Sequence, residues 1–202
     1  TSYADFTIFS FQAIKQISSG DGGMLVFKDK SIVEKAKRLR WFGIDRLAKQ
    51  SGTWKNDIKE IGYKYQMTDI GAALLLESIK EFSKIASHRK LIFNTYKKIL
   101  SKNKNVTVVD SSDGKGHVHW LFTILVEKKD YLQKQLRLKL IETNQVHFRN
   151  DKYSIFKKFT KNKRFPNMDS VEEEYLVLPI HTKVTLNDAI FIAQTINKIL
   201  PN

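Results

Sequence analysis

The chain has 202 residues, 42% of them apolar and 28% charged, with a formal net charge of +14 and no cysteine. That balance suits a folded globular protein, and the missing cysteines exclude disulfide frameworks, thiolate metal sites and cysteine nucleophiles. The longest apolar run, Ala72–Leu76, is far short of the roughly 20 residues that cross a bilayer. Thr1 to Phe9 lack the basic start and apolar core of a signal peptide, so the expectation is a cytoplasmic protein with no membrane partner.

In chain order, Phe6 to Phe11 is rich in β-branched and aromatic residues and predicts a strand. A turn at Ser18–Gly23 follows, then a second strand at Met24–Phe27. Ser31 to Trp41 predicts a helix: Ser31 is the candidate cap, Glu34 stands three residues on, and Ile32, Ala36 and Leu39 share a face. Gly43 to Tyr65 is polar and reads as a long loop, a length that usually goes with function or a covering partner. From Thr68, a candidate cap, a 3.6-residue period runs to Leu100, as two helices bent near Lys80–Phe82. Lys102 to Asn105 is a polar break that marks a domain boundary, giving domains at 1–101 and 102–202. Beyond it the expected elements are strands at Val106–Val109 and Trp120–Val126, a helix at Asp130–Glu142 capped by Asp130, and a short strand at Gln145–Phe148. A final helix at Leu186–Leu200 is capped by Thr185. Alternating strands and helices give an α/β fold class.

The positive charge invites a nucleic-acid reading. The excess is spread over both halves, however, and the one dense stretch is Lys152, Lys157, Lys158, Lys161, Lys163 and Arg164. With no zinc ligands, helix-turn-helix pattern or RNA-binding sheet signature, a solvated lysine-rich surface is the better account. No nucleic-acid partner is expected, and anionic small molecules are favoured.

The stretch that carries chemistry is Phe9-Ser10-Phe11-Gln12-Ala13-Ile14-Lys15, followed by Gly20-Asp21-Gly22-Gly23. A lysine between an apolar strand and a glycine-rich turn is partly withdrawn from water, a setting suited to nucleophilic chemistry on a carbonyl. The glycines allow close backbone approach. On spacing alone an ordinary surface lysine accounts for Lys15 as readily.

The segment closely resembles the lysine region of the DegT/DnrJ/EryC1/StrS sugar aminotransferases, which are fold-type I pyridoxal-phosphate enzymes. Arg40-Trp41-Phe42-Gly43 resembles that family's Arg-x-x-Gly segment. Ile61-Gly62-Tyr63-Lys64-Tyr65-Gln66-Met67-Thr68 resembles its Gly-Tyr-Asn-x-Arg-Met segment, and Ala72–Ala73 and Leu176–His181 fit later parts of the pattern. The resemblance spans the chain. It implies the end of a fold-type I large domain over 1–101, with interdomain helices, and a small carboxyl-terminal α/β domain over 102–202. It implies that Lys15 is the Schiff-base lysine for pyridoxal 5'-phosphate and shuttles the proton after transimination. Ser10 matches the serine that binds the cofactor phosphate, and Gln12 reads as structural. Implied partners are a nucleotide-linked keto-sugar, glutamate as amino donor, and a second copy in a homodimer. The implied process is amino-sugar or cell-surface polysaccharide biosynthesis, lipopolysaccharide included. The retained lysine argues against the dehydratase branch, which carries histidine there.

Two residues depart from the pattern. Lys64 replaces the asparagine that reaches the neighbouring subunit's phosphate, a task an ammonium can take over as a point charge. Gln66 replaces an arginine, which weakens anion binding at that position. The resemblance also covers only the carboxyl-terminal half of the family pattern; Asp5 is too close to Lys15 to serve as the carboxylate that protonates the pyridine nitrogen. A fragment, a truncated gene product or one piece of a two-chain assembly each accounts for this. The alternative function is therefore a catalytically silent fragment. His117 and His119 would share one face of a strand but lack a third ligand, so no metal is expected. Arg149, Asn150 and Asp151 lie near a region the family uses for substrate or subunit contacts. Met67 and Phe82 read as core.

Overall fold

Alternation of apolar and β-branched residues produces the first strand pair. In the computed structural model, which describes residues 3–55, 57–110 and 116–202, β1 (Phe6–Ser10) pairs antiparallel with β2 (Gly23–Phe27). Phe6 lies opposite Phe27 with the rings edge to face, and Ser10 lies opposite Gly23. The chain divides into two compact units, residues 1–82 and 83–202. In the first, Phe11 is the only buried hydrophobic among the described residues. Both faces of the ribbon stay open, with Ile8 80% exposed on one and Phe9 41% on the other.

The helix expected at Ser31–Trp41 is shorter and capped differently. Residues Lys30–Ile32 form a 3-10 turn and α1 covers Val33–Leu39. Asp29, in extended backbone, accepts from the Ser31 N–H at 2.8 Å, so the aspartate caps and Ser31 is already inside the turn. The stretch expected to be loop, Gly43–Tyr65, contains α2 (Arg46–Gln50), whose cap Asp45 accepts from the Ala48 N–H at 3.0 Å. One helix, α3 (Asp69–Leu100), replaces the two expected: Lys80–Phe82 contains neither proline nor glycine to break the ladder. Thr68 caps it by accepting from the Gly71 N–H at 3.1 Å.

The second unit is built on a three-stranded antiparallel sheet, in the order β3 (Thr107–Val108), β4 (Phe122–Leu125), β5 (Tyr175–Leu178). Ile92, Tyr96 and Leu100 from α3 pack on Phe122, Ile124 and Leu178 of the sheet in one apolar core. The helices α4 (Lys129–Arg137) and α7 (Leu186–Ile199) add Leu132, Leu136, Ala193 and Ile196 to that core. The Tyr96 hydroxyl donates to the Pro179 carbonyl at 2.9 Å, so the one polar atom of the ring is satisfied on burial. Burial, with Asp188 second, pushes that phenol above its ordinary value.

Three local expectations fail here. The helix predicted to reach Glu142 stops at Arg137, with Leu140 in left-handed backbone and the Ile141 N–H returning to the Leu136 carbonyl at 3.0 Å. Asp130 sits in the first turn of α4, and the residue at the cap position, Lys128, makes no side-chain bond. Gln145–Phe148 is not a strand; only Asn144 bridges to Val177. Instead the lysine-rich stretch holds α5 (Lys157–Thr160), and α6 (Pro166–Glu172) follows it.

Thr185 caps α7 as predicted, in a full capping box with Asp188. A Thr185→Ala chain is expected to lose about 1 kcal/mol of stability. Denaturant unfolding against a Leu186→Met control, which leaves the box intact, checks this. Among the described residues no helix is long and apolar enough to cross a membrane.

Candidate functional site

Phe11 closes the loop that carries Lys15. Its N–H donates to the Gly22 carbonyl at 2.9 Å, and its carbonyl accepts from the Ser19 N–H at 3.0 Å and the Ser18 hydroxyl at 3.2 Å. Within the loop the Lys15 N–H donates to the Gln12 carbonyl at 2.9 Å, and the lysine is half-buried. Gln12 thus serves through its backbone. Ser10, at the end of β1, accepts from the Gln12 N–H at 3.5 Å, a long bond that leaves the hydroxyl hydrogen available to an acceptor. Ser10 thus stands just ahead of one short, closed loop, and Lys15 lies inside it.

That loop is seated on two other segments. The Ser18 N–H donates to the Ser78 hydroxyl of α3 at 2.9 Å. Gly22 has a positive φ of 141°, and a Cβ there would come within 2.9 Å of the Met67 methyl. Met67 is half-buried in this contact with the glycine turn.

The segments around Gly43 and Gly62, far apart in sequence, pair with each other. The Phe42 N–H donates to the Tyr63 carbonyl, the Tyr63 N–H to Leu39 and the Tyr65 N–H to Arg40, with Trp41 bridging Lys64. The approach is close enough that a Cβ on Gly62 would lie 2.0 Å from the Gly43 nitrogen. Lys64 is exposed, and its ammonium stands 3.5 Å from the centre of the Trp41 ring. Tyr63 and Tyr65 stack at 5.1 Å. Sequence reasoning singled out Lys64 but passed over Trp41; the alternation of Tyr63, Lys64 and Tyr65 was the available signal, since it places the lysine on the face opposite both rings.

Arg149 and Asp151 are committed to one another. The Arg149 side chain is 3% exposed and donates to both Asp151 oxygens at 3.0 and 2.8 Å, to Asp169 at 2.6 Å and to Glu172 at 3.0 Å. Lys152 also donates to Glu172. The Arg149 guanidinium holds the Asp151 carboxyl below its usual 3.8, and Lys152 followed by Arg149 holds Glu172 below 4.5. A depressed carboxyl stabilises the fold fully above those ordinary values and loses that contribution as pH falls through the lowered ones. The melting temperature is thus expected to stay level down to about pH 5 and to fall below about pH 4. Arg149→Met should lower the neutral-pH value and flatten the acid limb; an unchanged limb would remove the network from the account.

His117 and His119 do not lie on a strand, since β4 begins at Phe122. Their rings meet at 4.4 Å and both contact Phe93. His119 is buried in left-handed backbone, and burial, then His117 and Lys90, push its imidazole below the ordinary value against the opposing pull of Asp110. Among the described residues no three histidine or carboxylate side chains converge on a metal position.

Comparison with known proteins places these features in a wider pattern. A family model described as the DegT/DnrJ/EryC1/StrS aminotransferase family matches residues 1–197. The chain is 31% identical over 204 residues to the UDP-4-amino-4,6-dideoxy-N-acetyl-beta-L-altrosamine transaminase of Campylobacter jejuni subsp. jejuni serotype O:23/36, covering 98% of this chain and 53% of that protein. It is 29% identical to the GDP-perosamine synthase of Escherichia coli O157:H7, covering 97% and 52%. Among solved structures, the sugar aminotransferase CalS13 from Micromonospora echinospora shares the fold at a TM-score of 0.88 and 24% identity, over 96% of this chain and 52% of that one. The chain spans about half the length of the relatives it matches.

Proposed function

Because this chain belongs to the DegT/DnrJ/EryC1/StrS aminotransferase family, we propose that it forms part of a pyridoxal-phosphate enzyme aminating a nucleotide-linked keto-sugar. Glutamate is the proposed amino donor. One observation supports the reading: Lys15 lies in the short loop closed on Phe11 that follows Ser10, and that loop is seated on Met67 through Gly22.

These residues fit the cofactor. A hydroxyl with its hydrogen uncommitted stands at the end of β1, and the turn beyond Lys15 is built of glycine where a Cβ at Gly22 would meet Ser19 and Met67. When bound, pyridoxal phosphate supplies a carbonyl that condenses with amines and a ring that accepts the electron pair released at the substrate carbon. Lys15 Nζ would hold the group and would carry the proton from and to the substrate carbon. Ser10 Oγ–H would donate to the phosphate without adding charge. Lys64 Nζ would bring a positive charge to the phosphate across the interface of a homodimer. Residues 1–101 serve as the end of the cofactor domain with interdomain helices, and 102–202 as the small domain. The process is amino-sugar or cell-surface polysaccharide synthesis, lipopolysaccharide included, in the cytoplasm.

A second reading, in which this chain by itself is catalytically silent, is favoured by the ribbon that stays apolar and exposed on both faces. Equilibrating the chain with pyridoxal phosphate, reducing with borohydride and mapping the peptides tests both. Label at Lys15 supports the first; label scattered over many lysines, or none, leaves the second.

A further inference from the structure

Residues 152–159 are exposed without interruption, although half of them are aromatic or aliphatic. Ser154–Phe156 form a 3-10 turn that runs straight into α5. Ile155 and Phe156 therefore stand one turn ahead of Phe159, and the three share a face. Such a face ordinarily meets a core, yet Ile155 is 73% and Phe159 60% exposed. Lys157, Lys158 and Lys161 take the other side of the same turn, and Lys163 and Arg164 follow. Lys158 Nζ lies 4.8 Å from the centre of the Phe159 ring. The segment stands on the buried ion-pair network, because the Thr160 hydroxyl donates to the Asp151 carbonyl at 3.3 Å and Arg149 grips Asp151. That network also uses up the neighbouring carboxylates: Asp151 and Asp169 bond Arg149, and Glu172 bonds Arg149 and Lys152. No acid stands between Asp151 and Asp169 in sequence. Among the described residues Lys157, Lys158, Lys161, Lys163 and Arg164 form no ion pair.

We propose that this basic segment, with its face of Ile155, Phe156 and Phe159, docks the chain on an anionic lipid surface. Interfacial binding needs apolar side chains to enter the headgroup layer and cations beside them to hold anionic headgroups, and this segment supplies both. The charge is complementary: a bilayer containing anionic lipid presents a negative potential, and the fold leaves these five cations unpaired. Lysine suits the setting, since its carbon stem lies along apolar surroundings while the ammonium stays in water. Nucleic acid is the poorer fit, because Ile155 is the most exposed apolar side chain of the segment and has no ring face on which a base stacks. A protein groove is also the poorer fit, since a segment exposed along its whole length matches a fluid surface without needing a shaped one. The expectation of no membrane partner followed from the lack of a spanning run, which a peripheral contact does not require. The docking is reversible, resting on one short apolar face plus charge, and it is independent of amino transfer.

The test is flotation of the full chain with vesicles of phosphatidylcholine alone and of phosphatidylcholine with phosphatidylglycerol, at about two to one. The chain should float with the anionic vesicles and not with the neutral ones, and raising salt from about 50 to about 300 mM should weaken binding about tenfold. Lys157→Gln combined with Lys158→Gln and Lys161→Gln should weaken it about a hundredfold, at about fivefold per charge. Lys98→Gln combined with Lys102→Gln and Lys104→Gln removes as much charge from the end of α3 and the turn after it, and should leave binding unchanged. Ile155→Ser combined with Phe159→Ser keeps every charge and should weaken binding about tenfold or more. Both side chains are exposed, so the variant should keep its fold, which circular dichroism checks. Phe159→Trp preserves the ring and reports its surroundings: emission should gain a blue-shifted component on anionic vesicles, quenched by brominated acyl chains. No flotation, equal binding to neutral vesicles, or equal loss in the Lys98, Lys102 and Lys104 variant would overturn the proposal. Tighter binding to a single-stranded oligonucleotide than to vesicles would overturn it in favour of nucleic acid. A dimer that ignores vesicles and dissociates on Ile155→Ser with Phe159→Ser would overturn it in favour of a second copy.

Discussion

Replacing Lys15 with alanine should abolish borohydride-fixed pyridoxal phosphate at that position, and wherever amino transfer is measurable it should lower kcat by about 10²–10⁴-fold. The reasoning is local. Lys15 is the one lysine of the loop closed on Phe11, half-buried, with the Ser10 hydroxyl at the loop's start. Arginine should not rescue it, because a guanidinium stays protonated and offers no nucleophilic nitrogen. Ser10→Ala should keep the label at Lys15 but weaken cofactor binding about tenfold, as one hydrogen bond to a charged group is lost. Retention of full labelling in Lys15→Ala would move the site elsewhere.

The second large effect is expected at Gly62. A methyl there would sit 2.0 Å from the Gly43 nitrogen and 2.6 Å from the Phe42 carbonyl carbon, and both neighbours are backbone. Gly62→Ala should therefore cost about 3 kcal/mol or more locally, beyond ordinary overpacking, because no rotamer change relieves it. Hydrogen exchange gives the readout: the Phe42, Tyr63 and Tyr65 amides, which hold the two segments together, should lose protection. Gly52→Ala is the control. It forces a residue into positive φ, at 92°, a strain absent at Gly62, but its methyl meets open space, for about 1 kcal/mol. Equal protection in both variants would mean that the close pairing does not hold Lys64 in place.

The legible parts of this protein share one property: the residues that determine them are neighbours in sequence. The ribbon of β1 and β2, the Thr68 and Thr185 caps and the Ser10–Lys15 spacing are all set within a few residues. The errors also have local causes. Asp29 displaced Ser31 as a cap because a carboxylate just ahead of the turn is the better acceptor, and Asp45 nucleated a helix in a stretch that composition marked as loop. The helix beyond Arg137 failed because Leu140 takes up left-handed backbone, which no periodicity announces.

By itself the sequence determined the α/β class and the family pattern, and it marked Lys15 as the candidate for bonding a carbonyl cofactor, since each follows from short-range pattern and residue chemistry. Only the tertiary structure decided which charges are spent and which remain. It buried Arg149 among three carboxylates up to 23 residues away, so its guanidinium is spent on ion pairs within the fold. It also brought Lys64 over Trp41 through the backbone pairing of Leu39, Arg40 and Phe42 with Tyr63 and Tyr65, and it set Arg38, Arg40 and Arg46 around one cavity. The physical reason is that desolvation and ion pairing depend on distance in space, and chain folding sets those distances through contacts that sequence spacing does not encode.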